Sequence, residues 1–301
     1  MKPNSLLLLL CLSFAASAPA WNDSGHLLIA QIAYERLAPA LQQKLSAELG
    51  GLSEGAHTYN AVSAACFADD LRRDQHHLDA GWHFIDPPFT SSGKPLPAGQ
   101  NVVWAIGHCV AVYKGQETDA VLSRQQALAM VMHLVGDVHQ PLHCTSHADA
   151  QGKDDAGGNG VAVTNMPDAL YPNLHSFWDS AFQRGFVSAG GVAGTVTKLY
   201  EVSRPSAPSR PNIEGRAAAL VHGFAPGPLG RMGGLNPQKW ALESHRLGYQ
   251  YGYQKLPGGP DAKSVALTAV YVTAANKVAS QRIVLAGYRL ADVLQSLLTV
   301  N

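Results

Sequence analysis

Apolar side chains recur at three- and four-residue steps over most of this chain, the period of helices that bury one face. Leu27, Leu28, Ile32, Tyr34 and Leu37 share one broad face, and Pro39 and the Gly50-Gly51 pair bound this predicted helix and the next. Residues near 60–72 predict a short helix, and Pro87, Pro88, Pro95 and Pro97 predict a loop over about 84–100. Asn101 to Tyr113 reads as helix again. Ser123 predicts the N-cap of a strong helix that runs to about His139 and is stopped by Pro141. A polar loop rich in glycine and aspartate follows from Ser146 to Gly160, and Val161, Val163 and Asn165 predict a short strand. Helices are expected near 173–186, 190–203 and 211–223, with a turn-rich connector from Ala225 to Pro237. Two long helices are expected near 238–254 and 263–298. No internal repeat is present, and the pattern predicts an all-α, single mostly helical domain.

The first twenty residues follow a different pattern. Lys2 precedes an apolar stretch of Leu6 to Leu10, Cys11, Leu12 and Phe14, and Ala18-Pro19-Ala20 has the small-x-small form of a cleavage site. This predicts a signal peptide over 1–20 and a mature chain that begins at Trp21, secreted or periplasmic; an uncleaved anchor is the competing reading. No later apolar run is long enough to cross a bilayer. The 301 residues carry 22 basic and 22 acidic side chains, and loss of Lys2 with the leader leaves 21 against 22. A protein that holds long duplex DNA by its phosphates is usually basic, so nucleic-acid affinity here would have to come from a local site. Cys66, Cys109 and Cys144 remain after the leader; an exported compartment permits one bridge among them, and the spacing does not choose the pair.

The candidate chemistry lies among the thirteen histidines. His133 and Asp137 are i and i+4, one turn apart on the same helix face. His143 follows just past the Pro141 break, where the chain can turn back toward them. His175 and Asp179 repeat the spacing in Asn173-Leu-His-Ser-Phe-Trp-Asp179. One such pair is commonly an ordinary surface pair. Two pairs and His143, each flanked by apolar residues, place His and Asp where an unpartnered polar group is costly. Zinc suits mixed imidazole and carboxylate ligands. His26, Asp69 and His83 are further candidates, each alone more often structural. Together the set is too large for one ion. The histidines at 57, 76, 77, 108, 147, 222 and 245 match no ligand position and read as structural or surface residues.

These motifs resemble the S1/P1 nuclease family, the zinc-dependent single-strand nucleases of the mung bean type. The matching elements are Trp21 with Gly25-His26, Asp69 with Arg72, His83-Phe-Ile-Asp86, the string from His133 to His143, Asp155-Ala-Gly-Gly-Asn159, and Asn173 to Asp179. Trp240 to Ser244 and Ala286 to Ala291 extend the likeness across almost the whole mature chain. The resemblance implies one all-α domain, residues 21–301, around a trinuclear zinc cluster, as in zinc phospholipase C and its nuclease relatives. By matching positions, one zinc would take Asp69, His83, His133 and Asp137. A second would take His143, His175 and Asp179. A third would take His26, Asp137 and the amine and carbonyl of Trp21, so that Asp137 bridges two ions. Arg72 would neutralise phosphate or orient Asp69. Phe84 would stack on a base whose edge Asp86 and Asn159 recognise. The implied activity is hydrolysis of single-stranded DNA and RNA to 5′-phosphate products, with 3′-nucleotidase activity beside it. The implied partners are those nucleic acids and nucleotides, with no membrane and no obligate protein partner. Phe67 stands where the family usually has Trp, and Asn22 where it usually has Gly. Neither change touches the expected ligand set.

Two other functions compete. A zinc phospholipase C has a similar three-zinc site, but its last pair resembles His-x3-Glu, against His175-x3-Asp179 here. A non-catalytic zinc-binding protein would favour exposed runs of histidine. The candidates here are instead dispersed along the chain.

Overall fold

The computed structural model describes residues 21–73, 80–89, 96–165, 172–182, 210–224 and 235–299. The predicted leader over 1–20 and the helix expected near 190–203 lie outside them, as does most of the 225–237 connector.

Nine α-helices occur among the described residues: α1 (Asp23–Arg36), α2 (Pro39–Glu48), α3 (Phe67–Arg73), α4 (Val102–Tyr113), α5 (Arg124–Asp137), α6 (Leu174–Asp179), α7 (Arg210–Phe224), α8 (Pro237–Leu247) and α9 (Ala269–Thr299). Their ends follow local chemistry. Asn22 caps α1 by accepting from the Gly25 amide, and Asn101 caps α4 through the amides of Val103 and Trp104. Ser123 and Gln126 form a reciprocal capping box on α5. Pro39 and Pro237 occupy the first turns of α2 and α8, where a missing N–H costs nothing.

α5 is the centre of the fold. Every residue from Ala127 to Asp137 is buried, so it is enclosed on all sides, with α4 packed along it. α9 lies along α1 and also touches α5, α7 and α2. One contiguous core of aliphatic and aromatic side chains runs through these helices and includes Trp21, Trp178 and Trp240.

Several boundaries differ from the sequence expectation, each for a local reason. α5 stops at Asp137, because Gln140 must be extended before Pro141, and the chain closes into a tight turn with His139 N bonded to Gly136 O. α6 stops at Asp179, where the Ser180 hydroxyl bonds the Ser176 and Phe177 carbonyls and competes with further helix. Residues 263–268 are not helix. Ser264–Val265 forms β4, which pairs in parallel with β3 (Ala162–Val163), and Thr268 then supplies the oxygen that accepts from the Tyr271 amide. A small antiparallel pair, β1 (Ser53–Glu54) and β2 (His57–Thr58), was not expected; its signal is Gly55 at φ 53°. The disulfide left open by the sequence is not formed: Cys66, Cys109 and Cys144 are buried thiols. Burial pushes Cys109 up to about 12 and Cys144 well above its usual range.

Candidate metal centre

The last turn of α5 delivers His133 and Asp137 into a dry interior. The turn after it, a short 3-10 segment Pro141–His143, folds His143 back toward the same place. The residues that follow α3 lead to a second 3-10 segment, Ala80–His83, which brings in His83. α1 contributes His26, α3 contributes Asp69, and α6 contributes His175 and Asp179. All eight side chains are buried, and their ligand atoms fall into three groups within 4.8 Å: His26, Asp69 and His133; His83, His133 and Asp137; His143, His175 and Asp179. The grouping differs from the expected one at His26 and at Asp69. His26 gathers with Asp69 and His133, its ring stacked on His133 at 3.8 Å, while its Nε2 lies 3.4 Å from Asp137 Oδ1. His133 is the member common to two of the groups, and Asp137 Oδ2 lies 2.9 Å from His83 Nδ1 and 3.1 Å from His133 Nε2.

The tautomers can be assigned from the backbone. A carbonyl only accepts, so each ring nitrogen facing one must carry hydrogen. His133 Nδ1 donates to Ala65 O at 2.7 Å, His143 Nδ1 to His83 O at 2.8 Å, and His175 Nδ1 to Gly157 O at 2.8 Å. In the neutral rings the Nε2 atoms are then lone pairs. Burial drives His143 down to about 3, so it is neutral. Its Nε2 faces His175 Nε2 at 3.2 Å, with Asp179 Oδ1 3.9 and 3.8 Å from the two. Both ring nitrogens of buried His26 lack a hydrogen bond. Burial and His133 lower His26, whereas at His133 the Asp137 and Asp69 carboxylates outweigh burial and raise it to about 9. Asp137 is held well below the usual carboxylate range; burial opposes this, and the imidazoles around it prevail. A divalent cation fits this donor set. Imidazoles braced by backbone carbonyls, with carboxylates between them, are the arrangement of a metal site with its supporting contacts.

The supporting contacts extend to residues that carried no sequence assignment. Gln140 donates to Asp179 Oδ1 at 2.7 Å, and its own oxygen accepts from the Leu142 amide. His139 is turned away from the cluster: Nδ1 donates to Val135 O, and Nε2 accepts from Arg289, which is paired with Glu243. Burial and the Arg282 and Arg289 charges hold it neutral. Gln140 stands inside the sequence string, and its position just before Pro141 was the available signal.

The remaining candidates surround the cluster. Trp21 is fully buried, its indole donates to Gly136 O at 3.0 Å, and the next amide, Asn22 N, bonds the Asp179 carbonyl at 3.2 Å. Arg72 is on α3, three residues after Asp69; its side chain lies outside the described residues. Phe84 is half-buried, and its carbonyl accepts from Val102 N at the start of α4. Asp86 has φ 21°, a backbone region that non-glycine residues seldom occupy, and is held there by bonds to the His143 carbonyl and the Ser146 hydroxyl. Burial, aided by Asp154 and Asp155, pushes its carboxyl well above the usual range. Asn159 closes a turn whose first residue, Asp155, accepts from His147 N, Gly158 N and the Tyr253 hydroxyl. That turn needs glycine at 157: φ is 63°, and a Cβ there would lie 2.5 Å from Leu142 O.

A helical frame that converges eight buried His and Asp side chains on three adjoining points defines a protein with a candidate polynuclear metal site. Comparison with known proteins agrees with this class. The S1/P1 Nuclease family model matches residues 21–299, and the chain belongs to that family. It is 29% identical to Nuclease S1 of Aspergillus oryzae over 204 residues, covering 63% of this chain and 63% of that protein. It is 30% identical to Nuclease P1 of Penicillium citrinum over 167 residues, 53% and 57% of the two chains. It is 24% identical to Endonuclease 3 of Arabidopsis thaliana over 302 residues, 94% and 91% of the two. The chain thus spans less than two thirds of the first two relatives' length. Among the described residues no helix is long and apolar enough to cross a membrane.

Proposed function

We propose that the protein is a zinc-dependent nuclease that hydrolyses single-stranded DNA and RNA to 5′-phosphate products, removes 3′-phosphates from nucleotides, and is exported with residues 1–20 cleaved. The observation that carries this reading is the convergence of the buried His143 and His175 Nε2 atoms, 3.2 Å apart, with Asp179 beside them.

His26, Asp69, His83, His133, Asp137, His143, His175, Asp179 and the Trp21 amine and carbonyl would hold about three zinc ions, with Asp137 serving two. Bound there, zinc supplies Lewis acidity, polarising phosphoryl oxygens and easing loss of a water proton near neutral pH. The chain's own groups do the rest. Arg72 neutralises phosphate or orients Asp69. Phe84 presents a ring on which an unpaired base can stack, a contact that an intact duplex withholds. Asp86, whose carboxyl burial pushes above its usual range, offers its carboxyl to a base edge, and the Asn159 amide can both donate and accept there. The family match begins at Trp21, which supports a mature chain that starts there.

The test is hydrolysis by the zinc-loaded protein of single-stranded DNA, RNA, duplex DNA of the same sequence, and phosphatidylcholine. Cleavage of both single strands well ahead of the duplex is expected. Preferential cleavage of phosphatidylcholine, or no cleavage of any of the four, overturns the reading.

A further inference from the structure

We propose that Glu243, Arg282 and Arg289 are positioning residues that clamp the turn after α5 from outside, and so fix His143, His175 and Asp179 as one group relative to Asp137. The inference rests on the zinc-nuclease reading above and assigns to that site residues that hold no metal themselves.

α5 ends without a glycine cap, and its last turn leaves a row of carbonyls to be satisfied. Local donors serve the first of them. His139 Nδ1 donates to Val135 O, His139 N to Gly136 O and Gln140 N to Asp137 O. The next two are served from far along the chain. The Ser244 hydroxyl of α8 donates to Val138 O at 2.6 Å, and Arg282 Nε of α9 donates to His139 O at 3.2 Å. The His139 ring is held as well: its Nε2 accepts from Arg289 at 2.9 Å, and Trp240 tilts against it at 5.3 Å.

These donors form one unit. Arg289 grips Glu243 with both terminal nitrogens, at 2.7 and 3.0 Å, and Arg282 reaches Glu243 at 3.3 Å and Ser244 Oγ at 2.9 Å. Burial works to raise Glu243, but hydrogen bonding to Arg289 and the two guanidinium charges hold it below the usual carboxylate range. Two buried guanidiniums therefore face one carboxylate. The excess positive charge lies at the carbonyl end of α5, where the helix dipole favours it.

The clamped turn links the ligand groups. His133 and Asp137 lie within α5, and His26, Asp69 and His83 come from other segments. Val138 and His139 lead straight to Gln140, which donates to Asp179 Oδ1 at 2.7 Å, and then to His143. The clamp therefore acts on one side of the centre, on His143 through the chain and on Asp179 through Gln140. Trp240 to Ser244 and Ala286 to Ala291 supply no member of the three His and Asp groups, and this contact gives both stretches a role at the site.

The test uses the full protein loaded with zinc, its Arg289→Met and Ser244→Ala variants, and Leu45→Ala, a buried α2 residue, as a control for lost stability. Zinc per chain is measured as chelator is raised, beside the melting temperature and the circular dichroism of each variant. Arg289→Met should release its first zinc at about one tenth of the chelator concentration that wild type needs, with the other ions held as in wild type. Ser244→Ala removes one hydrogen bond and keeps every charge, and should move the same ion about threefold. Leu45→Ala should lower the melting temperature and keep wild-type zinc retention. In a His143→Asn background the group is already broken, so Arg289→Met should change zinc retention no further. Wild-type retention in Arg289→Met overturns the proposal. So does release of all ions together, an equal loss in Leu45→Ala, or an undiminished effect in His143→Asn. If Arg289→Met does not fold, Ser244→Ala decides by the same criteria. Zinc retention reads the clamp whether or not nucleic acid is cleaved, so failure of the clamp leaves the nuclease reading standing, and a wild-type protein that binds no zinc overturns both.

Discussion

His133 and His108 each lie near two carboxylates, and their surroundings resolve that proximity in opposite ways. At His108 the account closes within the protein: Nδ1 meets Glu117 at 2.6 Å and Nε2 meets Asp119 at 3.0 Å, with Glu117 half in water. Each ring nitrogen has one acceptor, and one imidazolium satisfies both. At His133 one nitrogen is committed to Ala65 O, and the other shares its space with Asp137, His83 and the stacked ring of His26. Three imidazoles thus crowd one carboxylate at a buried point. The same residue types therefore make a self-contained ion pair at the surface and an arrangement fitted to metal in the core.

Removing metal should separate the two regions most sharply. Zinc analysis is expected to give about three ions per chain. Chelation should abolish hydrolysis and lower the melting temperature, because a ligand held at a thousand times its Kd stabilises the native state by about 4 kcal/mol. A reproducible content of one ion or fewer, or an unchanged melting temperature in chelator, would break the contrast at its core side.

Asp137 sharpens it further, because it is the carboxylate common to His26, His83 and His133. Asp137→Asn keeps the shape and removes the charge. A loss of at least a hundredfold in turnover is expected, about 3 kcal/mol of barrier. Near-normal rates at full zinc content would mean that Asp137 is only a structural partner of the histidines.

The terminus gives a subtler comparison. A free Trp21 amine has an ordinary pKa near about 7.7–8.0 and can exchange its proton for zinc, whereas an amide nitrogen cannot. Three purified forms test this: one beginning at Trp21, one with a retained Met before it, and one with a short N-terminal tag. The extended forms should lose one zinc and most activity while keeping their helical content. Equal zinc content and equal rates in all three would remove Trp21 from the site.

What the sequence made legible is what short-range geometry dictates. The i, i+4 spacing of His133 with Asp137 and of His175 with Asp179 fixes each pair on one helix face, and Pro141 forces the turn that returns His143. Asn101 and Ser123 announce their helices by capping chemistry. The parts not legible depend on contacts between distant segments. Ser264 and Val265 become strand only because Ala162 and Val163 lie beside them. The π turn at Gly248 depends on how closely it approaches Thr145 and Pro141. Gln140 stood in plain view, but its bond to Asp179 appears only once α6 is docked. The grouping of His26 with Asp69 and His133 likewise depends on how α1, α3 and α5 pack.

The smallest expected effect belongs to His108, and it tests the surface side of the comparison. Partial burial works to lower this imidazole, but hydrogen bonds to Asp119 and Glu117 prevail and raise it above its ordinary value. A raised folded-state pKa means that the protonated ring favours folding. That contribution is fully present below about pH 6.5, the unfolded value, and is lost as pH rises through the higher folded value. His108→Gln should therefore lower the melting temperature most at about pH 6 and progressively less at higher pH. The shift should be only about 2 °C, because Glu117 is solvated and exposed ion pairs are weak. Activity and zinc content should not change, and chelator should leave the pH-dependent difference between the two proteins intact. A difference that widens with rising pH would show that His108 is neutral in the folded state, and its likeness to a self-sufficient ion pair would fail. A difference that disappears in chelator would show instead that the surface pair is coupled to the buried cluster, and that the two regions are not independent.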